Sequence, residues 1–514
     1  MVDLRERSRS RTLLVVPVLV AYFVKLVTVD TTLVLGGAYT GEPTGTWFAG
    51  MTTVIGTTVF LLFGFSFVKG AVTRDRETDV GELLAASSIS NVQYLVGKWL
   101  SNIAVLTVAT AILVAATGVA FLRQGTGSLD LWAFVSPFIV ITLPTMCLVA
   151  AVAVCFETIG PLRGTVGTVV YFLFAVILFT VGIGPNTTLD AAGIAMIRDS
   201  MAQAIAAQYA AFDPSGLGFA YTDDPGTVHE FTWTGIEWTG KKLATRLPFV
   251  GLSAGFLAIA TVAFDRFDGT GGWSLPLRDR EAGDGGTPVS LIESGQPTAP
   301  DSHAVDVSLP PVTHSRFAFA RVLQAELRLA LRGHRWWWYA ACGAGFIAAL
   351  GAPIQVVRQF VVPLALLLPL SVWAALGARE HLHRTEELVF VGSHPIGLLA
   401  ATYLSGAIVG LLVTLPAGFR FAAAGLYGPL FGWGVGLLFL PATALAMGVW
   451  SGRPKLFEIS YLTAWYLGPV SGFGYLDYLG THDTTVSSGI TLGYLVLTVV
   501  ALGAGVLGRR RRSY

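Results

Sequence analysis

Arg74-Asp75-Arg76-Glu77-Thr78-Asp79-Val80-Gly81-Glu82-Leu83-Leu84-Ala85-Ala86-Ser87-Ser88-Ile89-Ser90 is a charged segment between two long apolar runs, Phe48 to Val68 and Tyr94 to Phe121. A related segment returns late in the chain: Arg379-Glu380, then Arg384-Thr385-Glu386-Glu387-Leu388-Val389-Phe390-Val391-Gly392-Ser393-His394-Pro395. Each copy sets acids around a threonine, continues with apolar residues and a serine, and runs straight into another apolar stretch. Leu143-Pro144 and Leu440-Pro441 follow the two copies, and Tyr171-Phe172 and Tyr466-Leu467 come after them at similar distance. The chain reads as two copies of one unit, a duplication common in membrane transport proteins.

The surroundings of both copies are lipid-like. Of 514 residues 53% are hydrophobic and 13% charged, whereas a soluble domain carries about a quarter charged residues. A helix needs roughly 20 apolar residues to cross a bilayer. Such runs are read at Leu13 to Val34, Phe48 to Val68, Tyr94 to Phe121, Leu131 to Phe156, Leu162 to Ile183 and Leu247 to Phe264. A second series covers Trp336 to Ala352, Phe360 to Leu376, Ile396 to Leu415, Leu430 to Trp450, Leu456 to Phe473 and Ile490 to Leu507. The expected fold is an all-α polytopic membrane protein of about twelve spans in two six-helix halves, 1–264 and 316–514, joined by 265–315. The first run is too long for a signal peptide and lacks a convincing cleavage site, so it reads as a retained span.

Arginine placement sets the expected orientation, because basic residues favour cytoplasmic connections. Arg5, Arg7, Arg9, Arg11, Arg74, Arg76, Arg163, Arg266, Arg328 to Arg335, Arg379, Arg384, Arg453, Lys455 and Arg509 to Arg512 all fall on one side of this map. The other side holds fewer: Arg123, Arg198, Lys241, Lys242, Arg246, Arg358 and Arg420. Both termini are then cytoplasmic, in the cell membrane. The net charge of +1 gives no basic nucleic-acid surface. Cys147, Cys155 and Cys342 sit in apolar runs and read as packing residues.

Two longer polar segments differ in kind. The outward one, 184–246, holds a helix-like stretch from Ala191 to Ala211 and an aromatic run from Phe231 to Trp238, and the segment as a whole is suited to rest on the outer leaflet. The inward one, Asp265 to Ser315, is rich in Gly, Pro, Asp and Ser and reads as a flexible linker. After it, 317–333 reads as a helix lying in the membrane surface, with Phe319, Leu323, Leu327, Ala330 and Leu331 on one face and Arg321, Gln324, Arg328 and Arg332 on the other. Trp336-Trp337-Trp338-Tyr339 suits the aromatic belt.

Arg74 to Ser90 followed by Tyr94-Leu95-Val96-Gly97-Lys98 resembles the cytoplasmic segment of ABC-2-type transporter permeases. The second half is similar to long prokaryotic permeases of that class through Glu326-Leu327-Arg328-Leu329, Trp336-Trp337-Trp338-Tyr339, Trp450-Ser451-Gly452-Arg453-Pro454-Lys455-Leu456-Phe457-Glu458, Trp465-Tyr466-Leu467-Gly468-Pro469 and Leu476-Asp477. The resemblance spans nearly the whole chain except the linker. It implies a membrane subunit that moves a substrate when separate ATPase subunits close on ATP, with short cytoplasmic helices, Arg74 to Ser90 and Arg379 to His394, transmitting the motion. The contacts it implies for the ATPase are Arg74, Asp75, Glu77, Glu82, Arg379, Glu380, Glu386 and Glu387. His381-Leu382-His383 departs from the pattern and weakens the symmetry of the second copy.

Other chemistry finds little footing. A phosphate-binding loop needs Gly-Lys followed by Ser or Thr, but Gly97-Lys98 and Gly240-Lys241 precede Trp99 and Lys242. Gly251-Leu252-Ser253-Ala254-Gly255 matches a serine-nucleophile pattern and equally the Gly-x-x-x-Gly pattern of close helix approach; without a histidine base in a span, packing is favoured. His381, His383, Glu386 and Glu387 lack metal-ligand spacing, and His229-Glu230 lacks a second histidine. Lys25 and Asp30 lie in the first run, where they read as snorkelling groups. An ion-coupled carrier and a membrane-embedded hydrolase are the alternatives, and no catalytic, metal or cofactor residue is assigned. Cysteine labelling in intact cells is expected to reach residues placed between Asp213 and Asp224 and to leave Asp265 to Ser315 untouched; the reverse pattern would overturn this orientation.

Overall fold

A computed structural model describes residues 32–36, 38–77, 87–184, 189–210, 212, 219–222, 228–264, 319–382, 385, 395–482, 485–486 and 488–512. The first predicted span up to residue 31, with Lys25 and Asp30, and the 265–315 linker lie outside these residues. Among the described residues nine helices are long and apolar enough to cross a membrane, so the chain is a polytopic, predominantly helical membrane protein.

In chain order the long helices are α1 (Gly45–Val68), continued after a glycine by the short α2 (Ala71–Glu77), α3 (Asn91–Gln124), α4 (Leu131–Thr158), α5 (Thr165–Ile183), and, after the helix α6 (Ile194–Gln208), α7 (Leu247–Ala263). Then come α8 (Phe319–Arg332), α9 (Trp336–Gly351), α10 (Ile354–Trp373), α11 (Pro395–Ala423), α12 (Tyr427–Ser451), α13 (Lys455–Trp465) with a π-helical extension Tyr466–Val470, and α14 (Ile490–Arg512). α9 has 16 residues, and α13 with its extension is similarly short; at roughly 1.5 Å per residue each covers less than a full bilayer core.

Local chemistry sets the boundaries. Thr44 caps α1 by accepting the Trp47 N–H, and Gly70 ends the turn after it with φ 101°, a conformation unfavourable for residues with a side chain. Ser90 and Gln93 form a reciprocal capping box at the start of α3, and Asp130 accepts the N–H groups of Trp132 and Ala133 at the start of α4. α4 widens into a π turn at Phe138–Thr142 just before Pro144, whose missing N–H interrupts the ladder. α1 and α4 form the centre of the first group, with 72% of their most apolar windows buried, whereas α7 and α14 lie at the periphery with 22%.

Three basic residues read as exposed connections are instead helix residues bonded to carbonyl oxygens. Arg358 sits in the π turn of α10 and donates to Gly480 O at 3.0 Å. Arg420 of α11 donates to Ala349 O and Ala352 O, closing the end of α9, and Arg246 at the start of α7 donates to Asp190 O. Arg358 also explains why α10 begins six residues earlier than the apolar run predicted.

A small sheet is the departure from an all-helical fold. Its strands are β1 (Thr32–Leu35), β2 (Tyr39–Gly41), β3 (Phe219–Thr222) and β4 (His229–Phe231), in the order β3-β1-β2-β4. β1 is antiparallel to β3, with Thr32 opposite Thr222, and β2 is parallel to β4, with Tyr39 opposite His229. Thr32 to Val34, read as the end of the first span, are instead part of a strand, where β-branched residues find a strand partner. α6 lies within the predicted helical stretch, and part of the aromatic run turns inward. Phe231 and Trp233 are buried in a core with Met51, Ile141, Ile197, Met201 and Ile205, and the indoles of Trp233 and Trp238 donate to Ser200 Oγ and Ser136 Oγ.

α12 approaches the turn after α10 so closely that a Cβ on Gly448 would lie 2.0 Å from Leu376 O. Gly448→Ala is expected to lower stability by about 1–3 kcal/mol through overpacking, read as a lower midpoint of thermal unfolding in detergent, whereas Gly434→Ala, with no neighbour in reach of its Cβ, does not lower it.

Candidate functional site

The site is the charged end of the seam where α1 and α5 meet α10 and α13. Its first anchor is Glu157, the penultimate residue of α4. The carboxylate is buried and accepts N–H bonds from Gly70, from Ala71 at 3.3 Å, Val72 at 2.6 Å and Thr73 at 3.2 Å. Four orphan donors at the start of α2 are thereby satisfied by one side chain. Arg163, just beyond, donates to the carbonyls of Glu157 and Thr158 and closes the same turn.

Asp75 fixes the rest of α2. It accepts the Tyr94 hydroxyl at 2.7 Å, and Lys98 Nζ lies 2.9 Å from it. The motif Tyr94-Leu95-Val96-Gly97-Lys98 thus supplies, from α3, both a donor and a counter-charge for the segment before it.

The second anchor joins parts of the chain far apart in sequence. Lys69 Nζ lies 2.6 Å from Glu458 Oε2 on α13, with the two side chains 11% and 1% exposed. Glu458 Oε1 accepts the Thr165 hydroxyl at 2.6 Å, Lys69 also donates to Thr168, and Lys455 donates to the Lys69 carbonyl at 3.1 Å. Beneath this cluster the seam is apolar and aromatic: the Phe172 ring lies 6.0 Å from Trp465 and 6.4 Å from Tyr466, and Phe179 lies 6.3 Å from Tyr466. Tyr461 and Trp465 of α13 donate to the carbonyls of Leu366 and Pro363 in α10.

On the other flank, Arg379 pairs with Glu326 of α8 at 3.3 Å, and Glu380 pairs with Arg509 of α14 at 2.7 Å. Burial pushes the Glu326 carboxyl above its ordinary value, and Arg379 beside it pulls the other way.

Of the contacts implied for an ATPase, Asp75, Arg379 and Glu380 are occupied by partners within the chain, and Arg74 is half-buried on α2 with Asp75 buried beside it. The Glu77 side chain, Glu82, Glu386 and Glu387 lie outside the described residues, as does His383. His381 packs its ring against Gly452, which has φ 65°. Among the described residues no group of three or more His, Cys, Asp or Glu is placed to hold a metal. Ser253 donates to Phe249 O of its own helix, while a Cβ on Gly251 or Gly255 would meet no atom within 4 Å, so among the described residues these glycines mark no close helix approach.

The sequence reading missed Lys69, Glu157 and Glu458 as a site. Their one signal is an isolated charge at the end of an apolar run, where burial demands a partner. What the arrangement does is mechanical: the Glu157 carboxylate caps the start of α2, Asp75 ties α2 to α3, and the buried Lys69–Glu458 pair just before α2 joins the end of α1 to α13. No protein-family model, curated protein or solved structure matches the chain.

Removing one member of a buried pair strands the other. Glu458→Leu and Lys69→Met are each expected to cost about 3–5 kcal/mol, and the double variant much less than their sum. A double-mutant cycle on thermal unfolding checks this; additive losses would show that the pair is not coupled.

Proposed function

We propose that the chain is the membrane-spanning permease of an ABC-2-type transporter, moving its substrate across the cell membrane with energy from a separate ATP-binding-cassette subunit. The observation that carries the reading is reciprocal contact at the seam. α13 packs on α1 and α5, and α10 packs on α5. Counted from each group's first span, these are the second and fifth helices of one group against the fifth and second of the other, the relation a two-fold arrangement of like units gives.

Further correspondences support two six-span halves. α4 pairs with α7 as α12 pairs with α14, and α3 packs on α4 as α11 packs on α12. Gly70 and Gly377, both with positive φ, follow the second span of each half, and Pro144 and Pro441 sit inside the fourth. Twelve spans result when the nine long helices are joined by α9, by α13 with its extension, and by the run from Leu13. Short spans are accommodated by local thinning of the bilayer. In this reading both termini and the two charged segments are cytoplasmic.

α2 leads into the segment ending at Ser90, and Asp75 and Glu157 hold its base against α3 and α4. A rigidly held base is what allows force on the remainder of the segment to reach the spans. Glu82 and Glu387 belong to that remainder, and charges there set register and specificity with a partner more than affinity.

The purified chain alone is expected to show no ATP turnover. Affinity purification from native membranes in mild detergent is expected to bring down a protein with a phosphate-binding loop, whose ATPase rate rises when the two are reconstituted. Glu82→Lys should lower that stimulation or the complex yield several-fold without affecting membrane insertion, with Glu387→Lys acting similarly or more weakly. Turnover by the chain alone, or unchanged assembly and stimulation in Glu82→Lys, would overturn the reading.

A further inference from the structure

Beside the seam, the surface helix α8 bends into α9 and leaves a groove of about 460 Å³ against α11. Leu331 of α8, Tyr339, Gly343 and Phe346 of α9, and Val409 and Leu412 of α11 are among its lining residues, and the lining is almost wholly apolar. From Tyr339 to Ile347 the groove follows α9 for about 12 Å at 1.5 Å per residue. Its shape is therefore that of a slot running along α9 from the bend between α8 and α9.

The walls are fixed in place. The Tyr339 hydroxyl donates to Leu331 O, tying the end of α8 to α9. Trp338 Nε1 donates to Leu368 O at 3.1 Å, and His334 bonds Ser371 Oγ at 2.8 Å, so the bend between the two helices is held on α10. Ala330, Trp338, Val372 and Val409 form a separate small core behind the slot. A groove with walls this well braced keeps its volume without an occupant of its own chain.

The mouth carries the complementary charge. Arg328 precedes Leu331 by three residues on the polar side of α8, within one helical turn of it, and Arg335 is the last residue before α9, four positions ahead of Tyr339. Arg332 is adjacent to Leu331. All three are exposed, and none forms an ion pair among the described residues. Glu326, the acid of this helix, is already paired with Arg379. An apolar slot that ends near three exposed guanidinium groups matches an acyl chain below a phosphate-bearing headgroup.

We infer that this groove is a binding site for one anionic phospholipid, its acyl chain lying along α9 and α11 and its phosphate among Arg328, Arg332 and Arg335. The inference rests on membrane embedding and is independent of the proposed transport activity. Guanidinium groups bind phosphate bidentately, which gives selectivity over a zwitterionic headgroup whose own cation offsets the charge. Orienting α8, which is tied through Glu326 to Arg379, is the structural effect such a lipid would have.

The test uses the delipidated full-length chain in non-ionic detergent, titrated with phosphatidylglycerol or phosphatidylcholine of equal chain length and read by native mass spectrometry. One phosphatidylglycerol is expected to bind at a concentration at least tenfold lower than phosphatidylcholine. Arg328→Gln with Arg332→Gln should weaken phosphatidylglycerol by about fivefold per arginine and leave phosphatidylcholine unchanged. Gly343→Phe, which fills the slot from a position with no neighbour in reach of its Cβ, should reduce binding of both lipids while leaving the thermal midpoint unchanged. Equal affinity for the two lipids, unchanged phosphatidylglycerol binding in Gly343→Phe, or a protein dimer that this variant dissociates would each overturn the assignment, the last by showing a second copy as the occupant.

Discussion

Hydrocarbon offers no hydrogen bonds, so each backbone N–H and C=O that a helix leaves open must find a partner within the protein. Much of this structure follows from that demand. Glu157 closes the start of α2, Arg163 the end of α4, and Arg420 the end of α9. Pro144 breaks the ladder of α4, and the π turn before it brings Thr142 to the Thr57 hydroxyl and Thr145 to the Ala191 carbonyl. Charged side chains that look misplaced in an apolar chain are therefore caps: their ionic heads meet backbone dipoles, and their stems lie among apolar neighbours.

The same economy shapes the seam. Lys69, Glu458, Thr165 and Thr168 form a compact cluster in which an ion pair is supplemented by hydroxyl donors. Such a pair adds little net stability beside an apolar replacement of the same shape, because desolvation offsets attraction. What it supplies is register: α13 fits against α1 and α5 in the position that brings Glu458 to Lys69. The aromatic contacts of Phe172 and Phe179 beneath it are less directional and tolerate sliding.

The helices were legible because a span is a local property of the chain. Phe48 to Val68 and Leu131 to Phe156 fell almost on α1 and α4, since apolar length alone decides them. α10 was displaced because Arg358 reads as a connection until its carbonyl partner at Gly480 is known. The sheet was invisible for a different reason: β1 finds β3 across most of the first half, and strands of three or four residues leave no periodic pattern. Of the site, the segment after α1 was legible as a charged insertion, but not the inward turn of Asp75, which Tyr94 and Lys98 determine. Glu458 lay inside a quoted motif, and nothing near it in sequence names Lys69 as its partner.

That long separation also has a consequence in time. Lys69 and Glu458 are 389 residues apart, and at the usual ribosomal pace of about 5–20 residues per second the lysine waits roughly 20 to 80 s for its carboxylate. Thr168, only 99 residues downstream, reaches it far sooner. The first helical group therefore enters the bilayer with a provisional neutral acceptor for its stranded cation, and α13 completes the charge balance only when it inserts. A chain halted between α5 and α13 therefore holds Lys69 without its carboxylate, and Phe172 and Phe179 without the rings of Trp465 and Tyr466.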